Sequence, residues 1–312
     1  MWPDLVTLGS ASNPITVHSY GLMVMLAFIA SLGWVHARSG AVGLSQERVA
    51  VADLAAAVGG LFGAKLLYAI TEADPSALTT LSSGFVWYGG VLGGLVAVVA
   101  VGLALRVDVW KLADVVAPAL AMGAAFGRLG CWFAGCCHGT PLPAGLPATP
   151  LLPDGTLHGQ LYLHPSFPWL SNAFDGGVAR WTHVPLFPTQ LWQSVGSALI
   201  ATLLLAITSR RRFDGQVFAV WLLLDPILRA FVEAFRGDDR GLVVSWKGSA
   251  PAGLPGLGDA TTQAGMVGVT TSQGIGLVLV LAGLLILVVR RNAGVKPEVA
   301  RSAWGDDLLD EV

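Results

Sequence analysis

The strongest constraint on this chain is a set of seven long apolar runs, at residues 20–37, 51–70, 85–105, 112–135, 189–208, 216–235 and 273–289. A hydrocarbon core about 30 Å thick is crossed by roughly 20 helical residues, and each run is long enough. The expected fold is an all-α membrane protein with seven transmembrane helices, forming a single integral membrane domain over 1–312. Composition agrees: 54% of residues are hydrophobic and 12% charged, where soluble domains carry about 25% charge. The formal net charge of −2 offers nothing to nucleic acid, and no nucleic-acid partner is expected.

The 18 basic residues are sorted by side. Eleven fall in alternate connections: Arg38 and Arg48; Arg106 and Lys111; Arg210, Arg211 and Arg212; and Arg290, Arg291, Lys296 and Arg301. The opposite connections hold four, Arg180, Arg236, Arg240 and Lys247, while Lys65, Arg128 and Arg229 lie inside spans. Basic residues near span ends stay in the cytoplasm, so the amino end is expected outside and the carboxyl tail inside. The opening stretch 1–14 carries an aspartate and no basic n-region, so no cleaved signal peptide is expected. Two connections are long, 136–188 and 237–272, and both fall on the outer side. Loops beyond about 12–15 residues are usually functional or disordered, and these two are expected to form an outward-facing head.

Charge inside the spans points to function. A charge at the middle of a spanning helix costs roughly 2.5–3.5 kcal/mol on insertion scales, so Arg128 is expected to face a polar cavity or a partner. Its own span offers only Asp114, about 21 Å away along the helix. Far along the chain Arg229, Glu233 and Arg236 recur at i, i+4 and i+7, one face of span six, where Arg229 and Glu233 can neutralise each other. The two arginines are expected to meet. Two guanidiniums with one carboxylate leave a net positive cavity, and their planar donors suit the phosphodiester of an anionic phospholipid. Tyr20 reads either as an interfacial anchor or as a cavity hydroxyl. Lys65 is expected to snorkel to the headgroups, and Asp225 beside Pro226 could answer an arginine at a helix kink.

Glycines three or four apart (Gly59, Gly60 and Gly63; Gly89, Gly90, Gly93 and Gly94; Gly123, Gly127 and Gly130) make faces on which helices approach closely. After Trp87 and Tyr88, Gly89 and Gly90 also offer bare backbone to a lipid headgroup. All three cysteines, Cys131, Cys136 and Cys137, fall within seven positions and are followed by His138. Buried small hydrophobes, a disulfide facing an oxidising exterior and a thiolate activated near Arg128 all remain open. The run lacks the paired Cys-x-x-Cys spacing of zinc sites, so no metal is expected, and nothing calls for a cofactor.

The stretch Gly127-Arg128-Leu129-Gly130-Cys131-Trp132-Phe133-Ala134-Gly135 resembles the signature of bacterial prolipoprotein diacylglyceryl transferases, G-R-x-G-N-F-x-N-G-E. Further landmarks follow the family order. Tyr20-Gly21-Leu22-Met23 is similar to its first-span motif, and the segment from Gly60 through Lys65 to Tyr68 is similar to its second. Trp87-Tyr88-Gly89-Gly90 resembles H-G-G, and Asp114 to Pro118 precedes the signature. Pro188-Thr189-Gln190-Leu191-Trp192 resembles P-S-Q-L-Y, and the segment from Arg229 through Glu233 to Arg236 resembles R-F-x-V-E-x-F-R. The signature asparagines are replaced by Cys131 and Ala134, its terminal acid by Cys136, and the histidine of H-G-G by Tyr88.

The resemblance implies a multi-pass enzyme of the bacterial inner membrane, without a cofactor. Its reaction would move the diacylglyceryl group of phosphatidylglycerol to the lipobox cysteine thiol of a preprolipoprotein, leaving a thioether and releasing glycerol phosphate. Arg128 and Arg229 would hold the phosphate, with Tyr88, Gly89, Gly90 and Arg236 along the substrate; Glu233 would orient Arg229, Tyr20 would line the cavity and His138 is a candidate base. Two alternatives stand beside it: a phospholipid-dependent transferase with another acceptor, using Cys136 or Cys137 as an intermediate, and a non-catalytic membrane thiol-redox or assembly factor.

Overall fold

The computed structural model describes residues 4–8, 15–71, 75–78, 87–134, 136–137, 139, 187–236, 242–247, 262–263 and 266–292. Within them a short hairpin of β1 (Asp4–Leu8) and β2 (Ile15–His18) leads into α1 (Ser19–Ala41), α2 (Gln46–Thr71), a 3₁₀ turn at Pro75–Leu78, α3 (Trp87–Ala104) and α4 (Val109–Ala134). After the first long connection come α5 (Thr189–Thr208) and α6 (Gln216–Glu233). An antiparallel sheet of β3 (Leu242–Lys247), β4 (Thr262–Gln263) and β5 (Met266–Thr270), in the order β3-β5-β4, precedes α7 (Thr271–Asn292). Among the described residues the all-α expectation holds, with seven helices and short strands only outside them. Each expected span coincides with a helix, but part of the connection 237–272 is a small sheet, and β1 pairs with β2 from Leu8 opposite Ile15 to Asp4 opposite His18.

Five of these helices are long and apolar enough to cross a membrane: Ser19–Ala41, Gln46–Ile70, Val109–Ala134, Thr189–Thr208 and Ser272–Asn292. The apolar part of α3, Gly89–Ala104, is shorter. The remaining helix, α6, carries Asp225, Arg229 and Glu233 in 18 residues, more charge than a lipid-facing span tolerates. The helices bury polar groups and show apolar ones. Leu54, Leu92, Val96, Leu199 and Leu285 are exposed, while Gln190, Ser197, Glu233 and Arg236 are buried, the distribution expected where the surroundings are hydrocarbon.

The helix α4 is the centre of the bundle, packed against α1, α5 and α6. Side chains of its neighbours donate to its carbonyls: Trp34 Nε1 to Val115 O (3.0 Å), Ser31 Oγ to Ala119 O (2.9 Å) and Ser194 Oγ to Ala125 O (2.8 Å). Two of these lie around Pro118, which breaks the helix's own ladder by lacking an N–H. On the other side α2 and α3 interlock through glycine. A Cβ on Gly59 would stand 2.5 Å from the Ala97 Cβ, and one on Gly63, Gly89 or Gly93 would run into the backbone of the facing helix. This pair joins α1 and α4 in a buried cluster of Val35, Val42, Leu44, Val49, Val107 and Val115, at the end of the bundle where Arg38, Arg48, Arg106 and Lys111 gather, hereafter the basic end.

Helix starts at the basic end are capped by side chains. Ser45 Oγ accepts from the Arg48 N–H (3.4 Å), and Asp108 Oδ1 accepts from the N–H groups of Trp110 (3.0 Å) and Lys111 (3.2 Å). For α6 the cap comes from another helix. Asp114 of α4, 1% exposed, accepts from the N–H of Gly215 through Oδ2 (2.9 Å) and of Phe218 through Oδ1 (3.0 Å), the two amides a capping box satisfies. Gly215 has φ +96°, and a Cβ there would meet the Trp110 ring at 2.7 Å, so glycine is required twice over. Arg211 Nε lies 3.7 Å from Asp114 and 3.3 Å from Asp214, and Arg290 both donates to Asp214 O (3.2 Å) and lies 4.8 Å from the centre of the Trp110 ring.

Candidate active site

At the opposite end α4, α5, α6 and α7 converge on the charges of α6. Arg229 is held by three helices: Nη1 donates to Gln193 Oε1 of α5 (3.3 Å), Nη2 donates to Ser272 Oγ of α7 (3.4 Å), and Nη2 lies 3.3 Å from Glu233 Oε2 one turn along α6. Ser272 is placed by a reciprocal cap at the sheet-to-helix junction, where Thr270 Oγ1 accepts from the Gln273 N–H (3.2 Å) and Gln273 Oε1 accepts from the Thr270 N–H (3.1 Å). Glu233 is fully buried, yet among the described residues neither carboxylate oxygen accepts a hydrogen bond, and its contact with Arg229 is an ion pair alone. A buried carboxylate in this state is expensive and marks a place where the protein alone does not complete the network.

Arg128 is half-buried, one turn before the end of α4, and has no hydrogen bond or ion pair among the described residues. Asp225 is within electrostatic reach of both Arg128 and Arg229. Gly130 faces the Tyr20 ring, where a Cβ would stand 3.2 Å from Cδ2, and Tyr20 lies in the field of Arg128 and the three thiols while 44% of it stays exposed. It thus lies beside Arg128 and the thiols while part of it faces outward.

The helix α6 stops at Glu233. The N–H groups of Ala234, Phe235 and Arg236 bond three residues back, tightening the chain into a 3₁₀-like turn, and Arg236 then forms an isolated antiparallel bridge with Gly139 and is buried. One expectation is corrected: Lys65 does not snorkel; it is buried at 8% exposure. Gly89 and Gly90 are turned against Gly63, Leu67, Gly60 and Ala64 of α2, so their missing side chains serve helix packing. The Tyr88 side chain, Gly135 and His138 lie outside the described residues, as does the charged run 237–240.

Beyond Arg128 the chain turns back on itself. Cys136 N–H donates to Cys131 O (3.1 Å), Gln190 Nε2 donates to Cys136 O (2.7 Å), and Thr189 Oγ1 donates to Cys137 O (3.1 Å). Phe187, Trp192, Phe231 and Phe235 form an aromatic cluster beside this turn, with ring centres 5.2–6.3 Å apart. The Cys136 thiol donates to Cys131 O (3.7 Å), and the guanidiniums of Arg236 and Arg128 act on Cys137, favouring its thiolate against the cost of its burial.

Comparison with known proteins places the chain in a family. The family model for prolipoprotein diacylglyceryl transferase matches residues 7–289. The chain belongs to that family. It is 30% identical to the phosphatidylglycerol–prolipoprotein diacylglyceryl transferase of Clostridium tetani, over 73% of this chain and 84% of that one. It is 28% identical to the second such transferase of Clostridium perfringens, over 90% of this chain and 94% of that one. The Geobacter sulfurreducens relative is 30% identical over 72% of this chain and 79% of its own.

Within this member of the diacylglyceryl transferase family, Gln193 and Ser272 were not singled out from sequence. A signal existed: Gln190, Gln193 and Ser197 recur at i, i+3 and i+7 in an otherwise apolar helix, one buried polar stripe facing α4 and α6.

Proposed function

We propose that this chain is a phosphatidylglycerol–prolipoprotein diacylglyceryl transferase of the bacterial inner membrane, acting on the lipobox cysteine of a secreted preprolipoprotein. Its seven helices span the bilayer with the basic end in the cytoplasm, so that the amino end and the two long connections form a head outside, on the side where the acceptor emerges. The observation that carries the reading is Arg128, a half-buried guanidinium without an ion-pair partner among the described residues, facing the same Asp225 as Arg229. Such a pair of forks is suited to an anionic phosphodiester.

In the reaction the acceptor sulfur forms a bond to the glyceryl carbon, the bond from that carbon to the phosphate oxygen breaks, and glycerol phosphate leaves with the electron pair. Arg128 and Arg229 stabilise the charge that collects on the departing phosphate, in a site from which the surrounding helices exclude water. Glu233 holds Arg229 in line, with Gln193 and Ser272 fixing the other edge of its guanidinium. Tyr20 borders the cavity. The thiol proton passes to a base or to the leaving phosphate, with His138 as the candidate base.

The test is transfer by purified protein of label from acyl-labelled phosphatidylglycerol to a lipobox peptide. It is run beside Arg128→Ala and a Cys136→Ala/Cys137→Ala double variant. Labelled peptide that disappears with Arg128→Ala and persists in the cysteine variant supports the reading. Absence of labelled peptide, or label trapped on the protein, overturns it.

A further inference from the structure

The three cysteines converge in a way their spacing conceals. Cys131 lies in the last turn of α4, and Cys136 and Cys137 follow just beyond its end, yet their sulfur atoms all lie within 4.8 Å of one another. Adjacent residues ordinarily send their side chains to different sides. Here Cys137 takes φ +61°, the left-handed region that a non-glycine residue occupies only at a cost of about 1–3 kcal/mol and only where its surroundings enforce it. The surroundings do enforce it. Gln190 and Thr189, both 1% exposed, hold the carbonyls of Cys136 and Cys137, and the Gly139–Arg236 bridge fixes the chain just beyond. The turn is held so that three thiols face a common point.

We propose that Cys131, Cys136 and Cys137 form a three-thiolate site for a soft d10 metal ion, Cu(I) or zinc, beside the arginines of the transfer site. Sulfur sits about 2.3 Å from such an ion, so three sulfurs around it stand about 4 Å apart, and the cluster needs to tighten by less than about 1 Å. Thiolate is the ligand these ions select. Binding displaces the three thiol protons to solvent and leaves a net negative charge, −2 with Cu(I) and −1 with zinc. The Arg128 and Arg236 guanidiniums, which act on Cys137, offset that charge. A disulfide would instead require a two-electron oxidant and would leave the third sulfur without a role. The expectation of no metal rested on the missing Cys-x-x-Cys spacing; here the reversed turn, not the spacing, assembles the ligands.

The experiment uses the full-length protein in detergent, reduced and stripped of metal. It is titrated separately with Cu(I) against a chromogenic Cu(I) chelator and with zinc against a chromogenic zinc indicator, and X-ray absorption then counts the sulfur neighbours. One ion per chain with three sulfurs is expected. Three-coordinate copper would identify the first ion, and a fourth, lighter ligand on zinc the second. Each of Cys131→Ser, Cys136→Ser and Cys137→Ser, checked to unfold at the parent temperature, should weaken binding by more than about 100-fold. Thr189→Val, which only releases the Cys137 carbonyl, should cost about 10–100-fold, as loss of an outer-shell partner does. No uptake by the reduced protein, an affinity unchanged in the serine variants, or uptake of an ion with fewer than three sulfurs overturns the proposal. The readout is metal binding, so its outcome is separate from that of the transfer assay.

Discussion

The two ends of the bundle use the same chemistry to opposite effect. At the basic end Asp114 is buried and saturated: two backbone amides and the Arg211 guanidinium surround its carboxylate, and the pair is backed by Asp214 and Arg290. At the far end Glu233 is buried as deeply, but among the described residues its oxygens accept no hydrogen bond and Arg128 has no ion pair. A saturated carboxylate fastens one helix to another. An unsaturated set of charges keeps binding capacity for something else. The difference separates a structural ion pair from a functional one more sharply than burial does, since both are buried.

The widest separation of the two ends comes from the arginines. Arg128→Ala and Arg229→Ala should each lower transfer about 100- to 1,000-fold, the usual cost of removing a donor aimed at developing charge. The unfolding temperature of Arg128→Ala in detergent should stay near that of the parent, whereas Arg229→Ala, which leaves buried Glu233 without its counter-charge, should lower it as well. Asp114→Ala should do the reverse of Arg128→Ala. Loss of one partner from a buried pair costs about 3–5 kcal/mol of stability, visible as a large drop in unfolding temperature, while transfer per folded molecule is kept. An Asp114→Ala protein that is stable but inactive would erase the contrast.

Smaller effects refine it. Gly93→Val drives a branched side chain into the Gly59 carbonyl and should cost about 1–3 kcal/mol, as overpacking does, measured by thermal unfolding. Thr270→Val removes half of the cap that places Ser272, with an expected loss of about 1 kcal/mol. It should also raise the KM for phosphatidylglycerol more than it lowers kcat, because it loosens the Arg229 anchor without removing a charge. A thermal shift with an unchanged KM would confine Thr270 to the structural side.

Much of this was readable in the chain because lipid imposes a coarse rule. The expected limits of span five coincide with α5, and Arg128, Arg229 and Glu233 stood out because charge in an apolar helix is costly. What escaped detection depends on which helices meet. Asp114 was visible as part of a motif, but its service as the cap of α6 requires α4 and α6 to be neighbours. Periodicity carried the helix through Arg236, whereas α6 ends at Glu233 and the chain enters a tighter turn whose backbone bonds reach three residues back. The spacing of the cysteines lacked the Cys-x-x-Cys pairing of zinc sites, and one left-handed residue brought the three thiols together. Lys65 looked like an interfacial residue because its burial is set by partners outside its own helix.

The glycine interlock of α2 and α3 has a mechanical consequence. Two backbones in direct contact cannot slide past one another without collision, so α2 and α3 are coupled along their length. The bond from Arg48 Nη1 to Leu105 O (3.2 Å) joins them again at the basic end, where the valine cluster ties the pair to α1 and α4. A displacement of α2 along its axis therefore carries α3 with it.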